Sequence, residues 1–294
     1  MIPAKKLKGT GVALVTPFTK NGSVDYPALE KIVHNVIKGG VDFVVAMGTT
    51  AEAPTLSASE KQAILSAIVN YADDKVPVVC GIGGNNTEEV IHQLKTMDLH
   101  GVEAILSVAP YYNRPSQEGL YLHFKALAEA TNKPIILYNV PGRTGSNILP
   151  ATTLRLAADC PNIIGMKEAS GNLVQCMELI QHKHDDFTVL SGDDNLVLAQ
   201  MAIGMEGIIS VAANCFTKEM TDMINLAIVG KFDKARKVHY KLLTGIDLLF
   251  AEGSPAGAKC VLKQQGVCEN ILRLPLAPVS EATTKKIAQF LRMA

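Results

Sequence analysis

The sequence predicts an α/β fold: a closed (β/α)8 barrel, or TIM barrel, with a C-terminal helical extension. Three observations carry this. Eight short apolar runs recur along the chain, amphipathic stretches separate them, and polar residues gather just past the carboxyl ends of the runs. The length of 294 residues suits such a fold, because these barrels run to roughly 250 residues as one unit.

The first run, residues 11–15, precedes a helix over 28–38 that Asp25 can cap and Gly39-Gly40 can end. After the run 43–47, Ser57-x-x-Glu60 forms a capping box ahead of Ile64, Leu65 and Ile68. After the run 78–82, Thr87 can cap a helix over 88–99. The run 104–108 leads to a helix over 117–130, and the run 135–140 to one over 150–158. The last three runs are 163–166, 188–190 and 207–211, followed by helices over 173–182, 196–202 and 218–229. The runs are continuously apolar, as parallel strands covered on both faces must be. Strands spaced by helices imply right-handed βα crossovers. An open doubly wound sheet shares this alternation, and eight units favour closure. The barrel then spans residues 1–230. Residues 231–294 hold three more helical patterns, at 231–250, 257–265 and 280–293, with no linker before them.

Composition narrows the function. The 28 Lys and Arg balance 28 Asp and Glu, so there is no electrostatic footprint for nucleic acid or an anionic membrane. Hydrophobic residues reach 48%, too many for a disordered chain. The N-terminus lacks an apolar core behind its lysines, so no secretory signal is expected. The stretch 196–213 is broken by Gln200, Gly204, Glu206 and Gly207 and falls short of the roughly 18 apolar residues of a membrane span. Six scattered cysteines without a Cys-x-x-Cys pair fit reduced thiols in a cytoplasmic protein.

In a barrel, chemistry sits at the carboxyl ends of the strands. Lys167 interrupts the apolar segment Ile163-Ile164-Gly165-Met166. Burial favours a neutral amine, and a neutral amine can attack a ketone to form a Schiff base. An ion pair with Glu168 is the structural alternative. Tyr138, at the end of the fifth run, can shuttle protons or simply fill the core. Thr49 and Thr50 can bind a carboxylate or make an ordinary turn. Arg143, after a Pro-Gly turn, can clamp a carboxylate with its planar fork. Tyr111 and Tyr112 fit loop packing or an interface. Two other signals fail. Gly81-Ile82-Gly83-Gly84-Asn85-Asn86 has Asn86 where a dinucleotide loop needs its third glycine. His182 and His184 read as a helix-end surface, so no metal is expected.

Together, Gly48-Thr49-Thr50, the segment 110–115 (Pro-Tyr-Tyr-Asn-Arg-Pro), the segment 138–145 (Tyr-Asn-Val-Pro-Gly-Arg-Thr-Gly), Lys167-Glu168-Ala169, Ser191-Gly192-Asp193-Asp194 and the segment 207–211 resemble the dihydrodipicolinate synthase family of pyruvate-dependent class I aldolases. The resemblance covers essentially the whole chain. It implies condensation of pyruvate with L-aspartate-4-semialdehyde in lysine and diaminopimelate biosynthesis, by a homotetramer (a dimer of dimers) without metal or organic cofactor. It implies Lys167 as the Schiff-base nucleophile, and Tyr138, Thr50 and Tyr112 as a proton relay, Tyr112 coming from a neighbouring subunit. Thr49 and Thr50 would hold the pyruvate carboxylate, Arg143 that of the semialdehyde, and the carbonyls of Gly192 and Ile209 would line the site. A lysine-effector cleft would use Ala53, Ala58, Lys61, Gly83, Asn85, Glu89 and Tyr111. Ala58 and Lys61 stand where lysine-sensitive members often carry histidines. Related readings are N-acetylneuraminate lyase, 2-keto-3-deoxygluconate aldolase, and a non-catalytic keto-acid-binding barrel.

Overall fold

Eight parallel strands close on themselves in sequence order in the computed structural model, which describes residues 7–293. The expectation of no secretory signal concerns residues 1–6 and lies outside the described residues. The strands are β1 (Gly9–Ala13), β2 (Phe43–Ala46), β3 (Val78–Gly81), β4 (Val102–Val108), β5 (Ile135–Asn139), β6 (Ile163–Glu168), β7 (Thr188–Ser191) and β8 (Gly207–Ser210). Closure comes from β1 pairing with β8, where Gly11 faces Ile209. Side chains including Ala13, Val45, Val79, Leu106, Ile136, Leu190 and Ile209 fill the barrel interior. A larger apolar layer joins the outer strand faces to the helices. Burial on both faces is why the strand runs are continuously apolar.

Around the barrel lie α1 (Tyr26–Lys38), α2 (Ala58–Ala72), α3 (Thr87–Thr96), α4 (Gln117–Ala130), α5 (Pro141–Thr144), α6 (Pro150–Asp159), α7 (Leu173–His182), α8 (Val197–Ala202) and α9 (Thr217–Ile228). Three further helices follow: α10 (Phe232–Phe250), α11 (Ala256–Gln264) and α12 (Glu281–Met293). They pack against the end of the barrel, with the Phe216 and Phe290 rings edge to face and Gln265 Nε2 donating to the Cys215 carbonyl. Asp25 caps α1, and the Ser57–Glu60 capping box forms at α2. The apolar stretch 196–213 divides into α8 and β8, and no helix among the described residues is long and apolar enough to cross a membrane. All six cysteines are free and buried.

Several boundaries need correction, beginning with β1, which runs over Gly9–Ala13 where the sequence predicts 11–15. β6 runs on through Lys167 and Glu168, because both stay in the ladder opposite Tyr138 and Asn139. The run 135–140 gives up Val140, which begins the turn into α5, a four-residue helix hidden by its Pro-Gly start. At α3 the cap is Asn86, whose side chain accepts from Glu88 N. Thr87 is freed to bond His123 Nδ1 at 2.9 Å, and α3 ends at Thr96 because Met97 is extended.

His123 is buried and its Nε2 finds no partner among the described residues. Burial pushes its pKa down to about 4. The folded chain therefore keeps the imidazole neutral where the unfolded chain, titrating near 6.5, takes up a proton. That stability is complete above pH 6.5 and is lost as pH falls towards 4. Glu60, held to about 2 by Arg273, loses its contribution lower, as pH falls from 4.5 towards 2. In His123→Phe, the decline of melting temperature between pH 6.5 and 4.5 flattens. Parallel curves for variant and wild type would contradict this assignment.

Candidate active site

The site begins with the ladder between β5 and β6. Tyr138 pairs with Lys167, which pairs in turn with Leu190 of β7. Paired residues on parallel strands share a face, and this face is the barrel interior. Lys167 is 5% exposed and Tyr138 7%. The Lys167 Nζ lies 4.4 Å from the centre of the Tyr138 ring. An amine at that depth sits at the mouth of the barrel, in contact with a phenol.

Glu168 faces the other way. Its carboxylate accepts from Ser170 N at 2.7 Å, Asn139 Nδ2 at 2.9 Å and Gln175 Nε2 at 3.2 Å. Asn139 is fixed in turn by Asn147 and by Ile148 N. The Lys167–Glu168 pair considered from sequence does not form among the described residues, because successive strand residues point to opposite faces. Instead, a buried amide and carboxylate network stands behind the two strands that carry Tyr138 and Lys167. Burial pushes the Glu168 carboxyl up, and its hydrogen bonds oppose that shift.

Gly192 sits against Lys167. A Cβ at Gly192 would lie 2.8 Å from Lys167 Cε and 2.5 Å from Ala169 Cβ. The next residue, Asp193, accepts from Gly171 N at 3.2 Å. Asp194 is buried and accepts from Ser210 Oγ, Val211 N and Ala212 N, tying the end of β7 to the end of β8. Burial raises both carboxyls, and the charge of Lys167 pulls both back down. Ile209, fully buried, packs in the interior cluster beneath.

Beyond β2, Thr49–Ala51 forms a tight 3-10 turn that leaves Thr49 exposed and Thr50 buried. The loops after β4 and β5 are fastened together. Tyr112 N donates to Thr144 O at 3.2 Å, Ser146 Oγ to Pro110 O at 2.6 Å, and Arg114 Nε to Gly145 O at 3.0 Å. Arg143 is exposed on α5, above the strand end that bears Tyr138. Tyr112 is 88% exposed on the single chain, with φ at +73°. Among the described residues no hydrogen bond joins the hydroxyls of Tyr138, Thr50 and Tyr112.

A cavity of about 450 Å³ opens at this end of the barrel. Thr49, Tyr138 and Arg143 line it, together with Ala53, Lys61, Gly83, Asn85, Glu89 and Tyr111. Ala58 lies outside it, exposed at the start of α2. Lys167, Thr50, Tyr112, Gly192 and Ile209 are not among its walls. The segment 81–86 is the loop from β3 to the cap of α3 and forms one wall. Among the described residues no three His, Cys, Asp or Glu side chains converge as a metal site would require. Sequence reasoning missed the Glu168 network and the buried pair of Glu52 with Lys259. Lys259, a cation in the otherwise apolar run 256–262 of α11, carried the same signal as Lys167.

A closed parallel barrel with a buried lysine and a tyrosine side by side at the carboxyl ends of its strands defines an enzyme, a lyase with aldolase-type chemistry. The chain belongs to the dihydrodipicolinate synthetase family, whose family model matches residues 6–294. It is 51% identical over 282 residues to the 4-hydroxy-tetrahydrodipicolinate synthase of Flavobacterium psychrophilum, covering 96% of each chain. It is 50% identical to that of Parabacteroides distasonis, covering 97% of this chain and 96% of the relative. Among solved structures, the dihydrodipicolinate synthase of Aquifex aeolicus superposes with a TM-score of 0.94 at 39% identity, over 98% of each chain.

Proposed function

We propose that the chain is a 4-hydroxy-tetrahydrodipicolinate synthase that condenses pyruvate with L-aspartate-4-semialdehyde. The observation that carries this reading is the buried Lys167 amine held against Tyr138 on adjacent strands. The amine adds to the keto carbon of pyruvate, and loss of water leaves an imine. The protonated imine withdraws electrons, so a methyl proton leaves and an enamine forms. The enamine carbon attacks the aldehyde carbon of the second substrate, and the new alkoxide takes up a proton. The product's own amine then displaces Lys167, closing the ring and restoring the enzyme. No step calls for a metal or an organic cofactor.

Tyr138, Thr50 and Tyr112 relay the protons. Thr49 and Thr50 bind the pyruvate carboxylate through hydroxyls and turn amides. Arg143 takes the carboxylate of the semialdehyde, and the Gly192 and Ile209 carbonyls border the imine. Tyr112 is too exposed on one chain to act alone, which supports a homotetramer in which a neighbouring subunit supplies it. Free buried thiols support a cytoplasmic enzyme. Grouping of Lys61, Asn85, Glu89 and Tyr111 around one cavity supports a lysine-effector site, which a lysine titration showing neither heat nor inhibition would reject.

Borohydride with pyruvate tests the central step. A stable adduct on Lys167 is expected, and its absence would remove every Schiff-base reading at once. A coupled assay with aspartate-semialdehyde separates the synthase from sugar-acid lyases. In Tyr112→Phe, turnover slows by about 10²- to 10⁴-fold, while imine trapping stays as in the wild type. Equal loss of both would contradict the relay role.

A further inference from the structure

The turn that carries Thr49 and Thr50 is tied to a part of the chain far away in sequence. Ala51 N and Glu52 N donate back to Gly48 O and Thr49 O, closing the turn onto Glu52. Glu52 is 1% exposed and left-handed, with φ at +56°. Such a φ is unfavourable for a residue with a Cβ and persists only where the surroundings hold it. The carboxylate of Glu52 is what is held. One oxygen accepts from Lys259 Nζ of α11, and both side chains are completely buried. The other accepts from Arg273 N at 2.9 Å.

Each partner is fixed independently. Lys259 Nζ also donates to Ile271 O at 2.8 Å and lies 4.1 Å from the centre of the Phe18 ring. Arg273 stacks on the same ring and forks onto Glu60, the capping-box residue of α2. A buried ion pair is poor evidence of net stability, because desolvating two charges offsets much of their attraction. What it fixes well is geometry, since neither charge can leave its partner.

We propose that Glu52 and Lys259 are positioning residues: through their ion pair the C-terminal extension sets the turn on which Thr49 and Thr50 meet the pyruvate carboxylate. The inference rests on the reading of those threonines given above. Neither Glu52 nor Lys259 touches substrate, so neither is catalytic.

The test is imine trapping by borohydride over a range of pyruvate concentrations, with the full-length chain. The double variant Glu52→Gln/Lys259→Met removes both charges and strands neither. Its half-saturating pyruvate concentration is expected to rise about tenfold, while KM for aspartate-semialdehyde changes by less than about twofold, because Arg143 sits on another loop. Lys259→Arg keeps the charge and falls between the double variant and the wild type. A double variant that melts lower but half-saturates at the wild-type concentration would overturn the positioning role. Should the double variant fail to fold, Glu52→Asp draws the carboxylate back by one methylene. A rise in half-saturating pyruvate then supports the proposal, and an unchanged value overturns it. Absence of trapping in the wild type would instead overturn the Schiff-base reading.

Discussion

Replacing Lys167 with alanine lowers turnover by at least about 10⁴-fold and leaves the barrel folded. The chemistry begins with the amine, and no neighbouring group can replace it. Tyr138 is a phenol, and Asp193 and Asp194 are carboxyls committed to backbone and hydroxyl donors. The fold survives because Lys167 donates no hydrogen bond to the barrel frame among the described residues. The strand on which it sits is held by ladders to β5 and β7. One local change accompanies the substitution. The charge of Lys167 pulls down the carboxyls of Asp193 and Asp194, so both rise further in the variant. Circular dichroism and melting curves check the fold, and mass spectrometry after borohydride checks the adduct. A variant that retained the pyruvate adduct would show that another amine carries the reaction.

Gly192→Ala is expected to lower kcat/KM by about 10²-fold, because an error of about 1 Å in placing a reacting group costs that much. The new methyl would fall 2.8 Å from Lys167 Cε and 2.5 Å from Ala169 Cβ. Neither backbone can yield easily. Gly192 N is bonded to Glu168 O at 2.7 Å and Ala169 N to Asn139 O at 2.9 Å. The flexible lysine chain therefore gives way and carries its amine off the Tyr138 ring. Slow imine formation in a chain that still folds, though it melts lower because Ala169 Cβ cannot yield as the lysine does, is the signature. If imine formation were as fast as in the wild type, the contact between Gly192 and Lys167 would not matter for catalysis.

The barrel was legible because burial on both faces writes each strand as an unbroken apolar run. Lys167 was legible for the complementary reason: a lone cation in such a run must be accounted for. The end of β6 was misplaced because Lys167 and Glu168 look like the polar close of a strand, yet both remain in the ladder. Asn86 and Thr87 are equally good caps, and only His123, brought alongside by α4, decides which one takes the helix. The Glu168 network needs Asn139, Asn147 and Gln175 from three elements. Glu52 and Lys259 are 207 residues apart. Neither grouping leaves a local spacing to read. Tyr112 was placed on a loop correctly, but its exposure and left-handed backbone belong to the folded chain alone.

The pairing of Glu52 with Lys259 and Arg273 also has a meaning in time. A ribosome makes the second strand and its turn early, and the residues that hold that turn only after all eight strands. A nascent chain with all eight strands already emerged would still lack the groups that Glu52 is built to meet. A protein cut short after α9 would bury a carboxylate without its cation. A chain that stops before α11 therefore presents a closed barrel whose Thr49–Thr50 turn lacks the partners of Glu52.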